Sequence, residues 1–342
     1  MEFQEGRISQ NGAIKKISII VPAHSEFDNI AELYSRLNNV LCNLEKYNYE
    51  IIIVDDGSTD DTWSSIIELN KKDQNTMGIR LSRSFGHQYA LFAGLNYATG
   101  DAVVSMDADL QHPPEIIPKL IEKWRKGNQI VHTIREDPPD FSLSKKIFAK
   151  YFYKLFGFLS GVEVKPGMAD FRLLDRQVIN DILKFREEGL FLRGIVQWVG
   201  YPNTSIKYLA EERYSGESKY TFKKMLRFAW HGVSSFSVLP LRIGIIIGLL
   251  TSMLSFYLVL DALHAKFILK TTVPGWTSMF GVMTLLFGIL FIFLSLLGEY
   301  IGRILVQVRH RPLFIVSDSI GLNKSIQHTH NFLPQESFDA GN

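Results

Sequence analysis

Two long runs without a charged residue, Ile243 to Leu260 and Val273 to Leu297, constrain this chain more than any other feature. At ~1.5 Å per residue the first reaches roughly 27 Å as a helix and the second more, close to the thickness of a bilayer core. The segment between them, DALHAKFILKTT, is too short for a domain, so a transmembrane helical hairpin is expected. Two buried helices of a globular core are the competing reading. Lys223, Lys224, Arg227 and Arg242 precede the hairpin and Arg303, Arg309 and Arg311 follow it, while the connection carries Lys266 and Lys270. Basic residues favour the cytoplasmic side of a span, which puts both termini there, with the protein multi-pass in the cytoplasmic membrane.

The chain has 342 residues, and ahead of the hairpin it is polar enough for one large domain. A net charge of +2 gives no reason to expect a nucleic-acid partner. The amino-terminal MEFQEGRISQNGAIKK lacks the apolar core of a secretion signal. The single cysteine, Cys42, cannot form an intrachain disulfide, in keeping with a reducing compartment, and reads as a packing residue in a helix.

Lys16 to Pro22 (KISIIVP) and Glu50 to Asp55 (EIIIVD) are apolar runs ending in polar loops, as central parallel strands do. Between them Ile30, Leu33, Leu37, Val40, Leu41 and Leu44 recur at helical spacing, and Ile66, Ile67 and Leu69 mark a second helix. A strand (MGIRLS), a helix over 87–98 and a strand before Asp107 continue the alternation, which predicts a doubly wound α/β domain. Beyond about residue 135 the pattern loosens into a helical stretch over 143–159, the segment GMADFRLLD and shorter runs. Residues 219–237 mix Lys and Arg with Phe, Trp and Leu and read as an amphipathic helix in the headgroup region. No GxGxxG follows the first strand, so a dinucleotide site is not expected; zinc-type spacings and a G-x-S-x-G elbow are missing too.

The strand before Asp107 delivers Asp107 and Asp109 onto a tight loop, DADLQHPP, with the amide of Gln111 close behind. Carboxylates at the carboxyl end of a parallel strand lie where open α/β sheets bind ligands. Hard oxygen donors in this number suit Mg²⁺ or Mn²⁺, which fills its other positions with water and phosphate. Turn or N-cap carboxylates ahead of a helix near Glu115 are the plainer alternative.

The set VPAHSEFDNI (21–30), VDDGSTDDT (54–62), DADLQHPPE (107–115), ADFRLLDR (169–176) and RYSGESKY (213–220), followed by LGEYIGRI and RPLFIV, resembles the family 2 glycosyltransferases of GT-A fold. The likeness is nearest to the branch of dolichol-phosphate mannose synthase and the bacterial polyprenyl-phosphate glucosyltransferases. It implies a GT-A α/β catalytic domain over 16–218 after an extension (1–15). The amphipathic helix (219–237), a two-helix transmembrane hairpin (238–308, spans about 240–263 and 274–298) and a cytoplasmic tail (309–342) follow. Ser25 and Ser84 stand where the family commonly has Asn.

The resemblance also implies roles. Asp109 and Gln111 would contact Mg²⁺ or Mn²⁺, with Asp107 acting through water or on the donor's ribose, and Ala108 beside them in the nucleotide-sugar pocket. Pro22, Ala23 and Glu26 would line the nucleoside; one of Asp55 and Asp56 would read the base, the other shaping a turn. Arg213, Ser218 and Lys219 would wrap phosphates, and Arg135 is a second phosphate candidate. His87 and His112 read as packing or hydrogen-bonding residues. Asp170 occupies the family's acidic catalytic position, and pairing with Arg172 or Arg176 is its structural alternative. A phosphate monoester has a second pKa of about 6, so a lipid phosphate can attack without a base, and Asp170 is expected to do positioning or electrostatic work, with proton abstraction secondary. The expected reaction is inverting transfer of a hexose, glucose from UDP-glucose, to undecaprenyl phosphate, by a homo-oligomer, a tetramer by resemblance. A processive polysaccharide synthase is a rival, but Gln197-Trp198 lacks the QxxRW spacing. A non-catalytic membrane scaffold of the same fold is another.

Overall fold

The computed structural model describes residues 14–136, 167–187, 189–209, individual positions between 247 and 268, and 275–322. Strands β1 (Lys15–Ala23) and β2 (Tyr47–Asp55) form where the Ile/Val runs predicted them, paired in parallel from Lys15 with Tyr47 to Ala23 with Asp55. Their middles are shielded from water on both faces: Ile17, Ile19, Ile20, Ile51, Ile52 and Val54 are fully buried. Such burial stabilises by roughly 1.5–3 kcal/mol per large aliphatic side chain. Pro22, which has no N–H to give a ladder, lies beyond the last β1–β4 pair, Ile20 with Ser105.

Helix α1 (Phe27–Cys42) presents Ile30, Leu33, Leu37 and Leu41 to the sheet, the spacing that keeps one stripe of a helix inside. Helix α2 (Thr62–Lys72) buries Trp63, Ile66 and Leu69 and leads to β3 (Thr76–Leu81). Helix α3 (His87–Tyr97) packs so closely that a Cβ on Gly94 would fall 2.3 Å from Ile20 Cγ2. Strand β4 (Ala102–Ser105) then pairs on the other side of β1, a 3-10 turn (Pro114–Ile116) runs into α4 (Ile117–Arg125), and β5 (Ile130–Glu136) follows. The first three strands are added in one direction across the sheet and β4 on the other side of β1, so the strand order reverses between the parallel strands β1 and β4, the place where such sheets open a crevice.

The expected parallel sheet is extended by mixed edges. Segment GMADFRLLD is strand β6 (Met168–Asp175), antiparallel to both β4 and β5, and β7 (Asn203–Leu209) adds parallel to β5. The short helices α5 (Arg176–Ile182) and α6 (Leu192–Trp198) lie between β6 and β7. The eight-stranded order is β7-β5-β6-β4-β1-β2-β3-β8. Its last member, β8 (Val316–Ile320), comes from the expected tail and runs antiparallel to β3. At the far end of the strands from the crevice, buried Glu50 binds Lys16 Nζ (2.5 Å), Ser18 Oγ (2.6 Å) and the Thr99 backbone N–H (2.7 Å). Burial alone would raise its pKa; the hydrogen bonds from Lys16, Ser18 and Thr99 outweigh that and hold it below the ordinary glutamate value.

A second compact unit contains the apolar region. Its helix α7 (Trp276–Val308) has 33 residues and overruns the expected end near 298 by about three turns. Glu299 and Arg303 pair at 3.0 Å one helical turn apart, so the helix continues past the uncharged run instead of stopping there. Among the described residues one helix, Leu285–Val308, is long and apolar enough to cross a membrane. The described positions from 247 to 267 are helical. The helical stretch expected at 143–159 and the amphipathic helix at 219–237 lie outside the described residues.

Candidate active site

The carboxyl ends of β1, β2 and β4 bring three acidic loops together. Pro22 and Ala23 end β1 and are buried, and Ser25 follows with φ 57. That left-handed conformation suits Asn better than Ser. Glu26 stands at the entrance to α1, accepting from Asn29 Nδ2 at 2.6 Å and donating its backbone N–H to Thr62 Oγ1 at 3.0 Å.

Asp55 and Asp56 end β2, and both are buried. Asp55 Oδ1 accepts the Ser58 N–H at 2.9 Å, and Oδ2 lies 3.3 Å from Arg80 Nε. Asp56 accepts from Ser84 Oγ (2.8 Å), Phe85 N (2.7 Å) and Gly86 N (3.0 Å), so it organises the loop ahead of α3. Of the two, Asp56 has the more complete set of partners and does the loop-shaping work expected of one of them. Gly57, at φ 65, lets this crossing occur: a Cβ there would meet the Arg83 carbonyl carbon at 2.4 Å.

After β4 the chain turns sharply through Asp107, Ala108, Asp109 and Leu110, whose φ of 61 is unusual for a leucine. Conformations of this kind cost ~1–3 kcal/mol and are kept where surrounding structure enforces them. Asp109 Oδ1 accepts the Gln111 N–H at 3.2 Å, a turn bond, and Gln111 Oε1 accepts from Arg135 Nη1 at 3.3 Å. The Asp107 N–H donates to Nδ1 of His112 at 3.0 Å, so that nitrogen acts as an acceptor. His112 is itself wedged against Phe171, ring centroids 5.2 Å apart, and against the edge of Tyr208. It is thus a packing residue that also orients the acidic loop. Burial pushes the Tyr208 phenol up to about 12.

Asp170, on β6, is 3% exposed and held from several sides. Arg172 Nη2 donates to one oxygen; Arg193 grips the carboxylate through Nε (3.0 Å) and Nη2 (2.8 Å), and Gln88 Nε2 adds a bond at 3.2 Å. Arg176, the other partner considered, binds the Gly100 carbonyl instead. His87 Nε2 lies 3.6 Å from Asp170 Oδ2 and 3.4 Å from Asp107 Oδ1, bridging two loops. Burial alone would raise Asp170; the charge of Arg172, the neighbouring His87 and Arg193 outweigh it and hold the carboxyl well below the usual range. For His87, burial would lower the pKa, but the nearby Asp170 and Asp107 carboxylates raise it above the ordinary histidine value.

These contacts test the site for a divalent cation. Asp107 Oδ1 is buried and makes no hydrogen bond; its charged neighbour is His87 Nε2 at 3.4 Å, too long a contact to occupy its lone pairs. Among the described residues no group of three or more His, Cys, Asp and Glu side chains is arranged for a metal, so a complete protein cage is not present there. Two carboxylates completed by phosphate oxygens are the usual provision for Mg²⁺, and Asp107 and Asp109 fit it. Gln111 can join them only if its oxygen lets go of Arg135.

Pro22, Ala23, Glu26, Asp55, Asp56, Asp107, Ala108, Asp109, Gln111, Arg135 and Asp170 therefore all lie on described elements around the crevice, while Arg213, Ser218 and Lys219 lie outside the described residues. Sequence reading missed Gln88 and Arg193 as members of the site; His87 was read only as a packing or hydrogen-bonding residue and Arg172 only as a structural partner of Asp170. The FGHQ run at 85–88, a few residues beyond the end of β3, is the one signal for Gln88; Arg193 sits on a seven-residue helix with no such mark.

A model described as glycosyl transferase family 2 matches residues 18–183. An uncharacterized glycosyltransferase of Bacillus subtilis is 39% identical over 89% of this chain and 94% of its own length. The bactoprenol glucosyl transferase of Shigella phage SfII is 37% identical over 89% of this chain and 98% of its own. Solved structures similar to the chain include mannosyl-3-phosphoglycerate synthase from Rubrobacter xylanophilus, 15% identical with a TM-score of 0.43, covering 64% of this chain and 72% of that one.

Proposed function

The chain belongs to glycosyl transferase family 2, and from that premise we propose that it transfers a hexose from a nucleotide diphosphate sugar to a polyprenyl phosphate. In its most specific form the donor is UDP-glucose, the acceptor is undecaprenyl phosphate and the product carries a β-linked glucosyl phosphate. The bactoprenol glucosyl transferases, similar over nearly their whole length, support that acceptor class.

One observation carries the reading. Asp170, in the position a base would take, is buried, ionised and tied to two guanidinium groups. A carboxylate with so depressed a pKa is a poor proton acceptor near neutral pH. A sugar hydroxyl, the nucleophile of a polysaccharide synthase, needs its proton removed. An ionised phosphate monoester does not. The site thus suits an anionic nucleophile, and Asp170 positions Arg193, Gln88 and His87.

Asp107 and Asp109 would hold Mg²⁺ or Mn²⁺, which supplies Lewis-acid compensation for charge on the departing diphosphate. The protein's own residues do the rest. His112 fixes the Asp107 backbone, Arg135 offers a further cation beside Gln111, and the Asp56-organised loop closes the nucleoside side. Arg213, Ser218 and Lys219 are proposed to cover the phosphates.

Membrane attachment follows from the acceptor, whose chain stays in the bilayer. Strand β8 lies after helix α7 yet pairs with β3. A chain that returns to the same sheet crosses a membrane an even number of times, which supports assigning a second crossing to the helical positions 247–267. We assign the catalytic domain to the cytoplasmic face by the basic flanks. Membranes containing the protein, incubated with labelled UDP- and GDP-sugars and analysed by lipid extraction and mass spectrometry, test this. A hexosyl-phosphoryl polyprenol is expected; label in polymer, or in no lipid, contradicts the proposal. A scaffold would also fail to bind UDP with Mn²⁺ by isothermal titration.

A further inference from the structure

Two guanidinium groups hold the single carboxylate of Asp170, and they differ in one respect that matters. The Arg172 side chain is 4% exposed, whereas that of Arg193 is 37% exposed. Arg172 is the buried counter-charge of Asp170, and Arg193 grips the same carboxylate from the more exposed side. The two carboxylates of the cluster, Asp107 and Asp170, are thus matched by two guanidinium groups, with the His87 imidazole between the carboxylates.

The contacts run in sequence. Arg193 touches Asp170, Asp170 approaches His87, and His87 approaches Asp107, from which the loop continues to Asp109 and Gln111. A donor diphosphate belongs with the Asp107–Asp109 carboxylates and their cation. Displacement at the anomeric carbon demands a nucleophile arriving from the opposite side to the leaving group. That nucleophile is itself an anion and must come close to two carboxylates. Something positive has to meet it at the Asp170 end.

We propose that Arg193 is the acceptor-binding arginine, a fork clamped by Asp170 on one side and presenting charge to the acceptor's phosphate monoester on the other. This deepens the function proposed above and rests on it. Asp170 then acts through Arg193, as a positioning residue. A planar fork already immobilised by a bidentate carboxylate loses little freedom on gripping a second anion, which is what Arg offers over Lys. Bond making is simple: a phosphate oxygen bonds to the anomeric carbon as the bond to the diphosphate breaks, and the proton inventory of Arg193 is unchanged.

The test uses the full chain in vesicles with varied undecaprenyl phosphate, alongside a water-soluble short-chain prenyl phosphate to separate headgroup recognition from lipid partition. Arg193→Gln is expected to raise KM for both acceptors by about 10- to 100-fold, the scale of one charge-assisted contact, while UDP affinity stays within about twofold. Arg193→Lys should recover part of the loss. Thermal melting and UDP binding of each variant verify the fold. Unchanged acceptor KM with a lowered kcat, or a loss confined to donor affinity, overturns the assignment of Arg193 alone. Failure of the unsubstituted protein to use any prenyl phosphate overturns it together with the function beneath it.

Discussion

Replacing Asp170 by Asn removes a charge but hardly any volume, and its consequences can be worked through. Arg172 is 3% exposed and its Nε already has no hydrogen-bond partner, so the Asp170 charge is its principal compensation. Removing one member of a buried ion pair costs about 3–5 kcal/mol, because the survivor stays buried and uncompensated. In a domain of this size each kcal/mol moves Tm by roughly 2–4 °C, so Tm should fall by roughly 6–20 °C. Turnover should fall as well, since Arg193, Gln88 and His87 lose their common anchor, while UDP affinity should hold within a few-fold because Asp55, Asp56 and Asp109 are untouched. Adding Arg172→Met should return much of the stability and little of the turnover, a strong coupling expected of residues in contact. Melting curves, UDP titration and transfer rates below both melting points measure all three quantities. A Tm within about 2 °C of the unsubstituted protein would refute the buried-pair reasoning. Equal loss of UDP binding would refute the positioning role.

Further expectations concern the supports of the site. His112→Ala strips the Asp107 N–H of its acceptor and the ring from between Phe171 and Tyr208; a loss of about 1–3 kcal/mol for the unmet N–H is expected in melting, with weaker Mn²⁺-dependent UDP binding. Gly57→Ala puts a Cβ where the Arg83 backbone lies and holds Ala at positive φ, so a loss above about 1 kcal/mol and a fall in UDP affinity should follow. Asp170 and Glu50 both have pKa values lowered by folding, so their stabilisation is fully present above the unfolded values, 3.8 and 4.5, and is lost as pH falls below them. Urea midpoints should therefore fall as pH drops from 5 toward 3 (roughly the window those unfolded values set), and Glu50→Gln should flatten part of that fall.

The parallel centre of the sheet was legible because β1 and β2 are buried on both faces, which writes itself as KISIIVP and EIIIVD. Helix α1 was legible for the complementary reason, one buried stripe at helical spacing. Strands β5, β7 and β8 were not recognised: β5 is buried but interrupts its apolar residues with His132 and Thr133, whereas β7 mostly alternates intermediate and exposed positions and β8 (VSDSI) has no apolar run, so pairing with a neighbour rather than burial makes strands of the last two. The acidic loop announced itself through DADLQHPP. Arg172 was legible as a neighbour of Asp170 on the same strand, but Arg193 was not, because its meaning comes from β6 and α6 meeting across 23 residues and nothing local at Arg193 signals it.

The most direct test is transfer by the purified full chain in vesicles holding undecaprenyl phosphate, supplied with labelled UDP-glucose, with EDTA and then with added Mn²⁺. Labelled glucosyl-phosphoryl lipid should form, vanish on chelation, return with Mn²⁺, and be missing when Asp107 and Asp109 are both alanine. Undiminished transfer in excess EDTA or in the double variant would contradict a cation held by these two carboxylates.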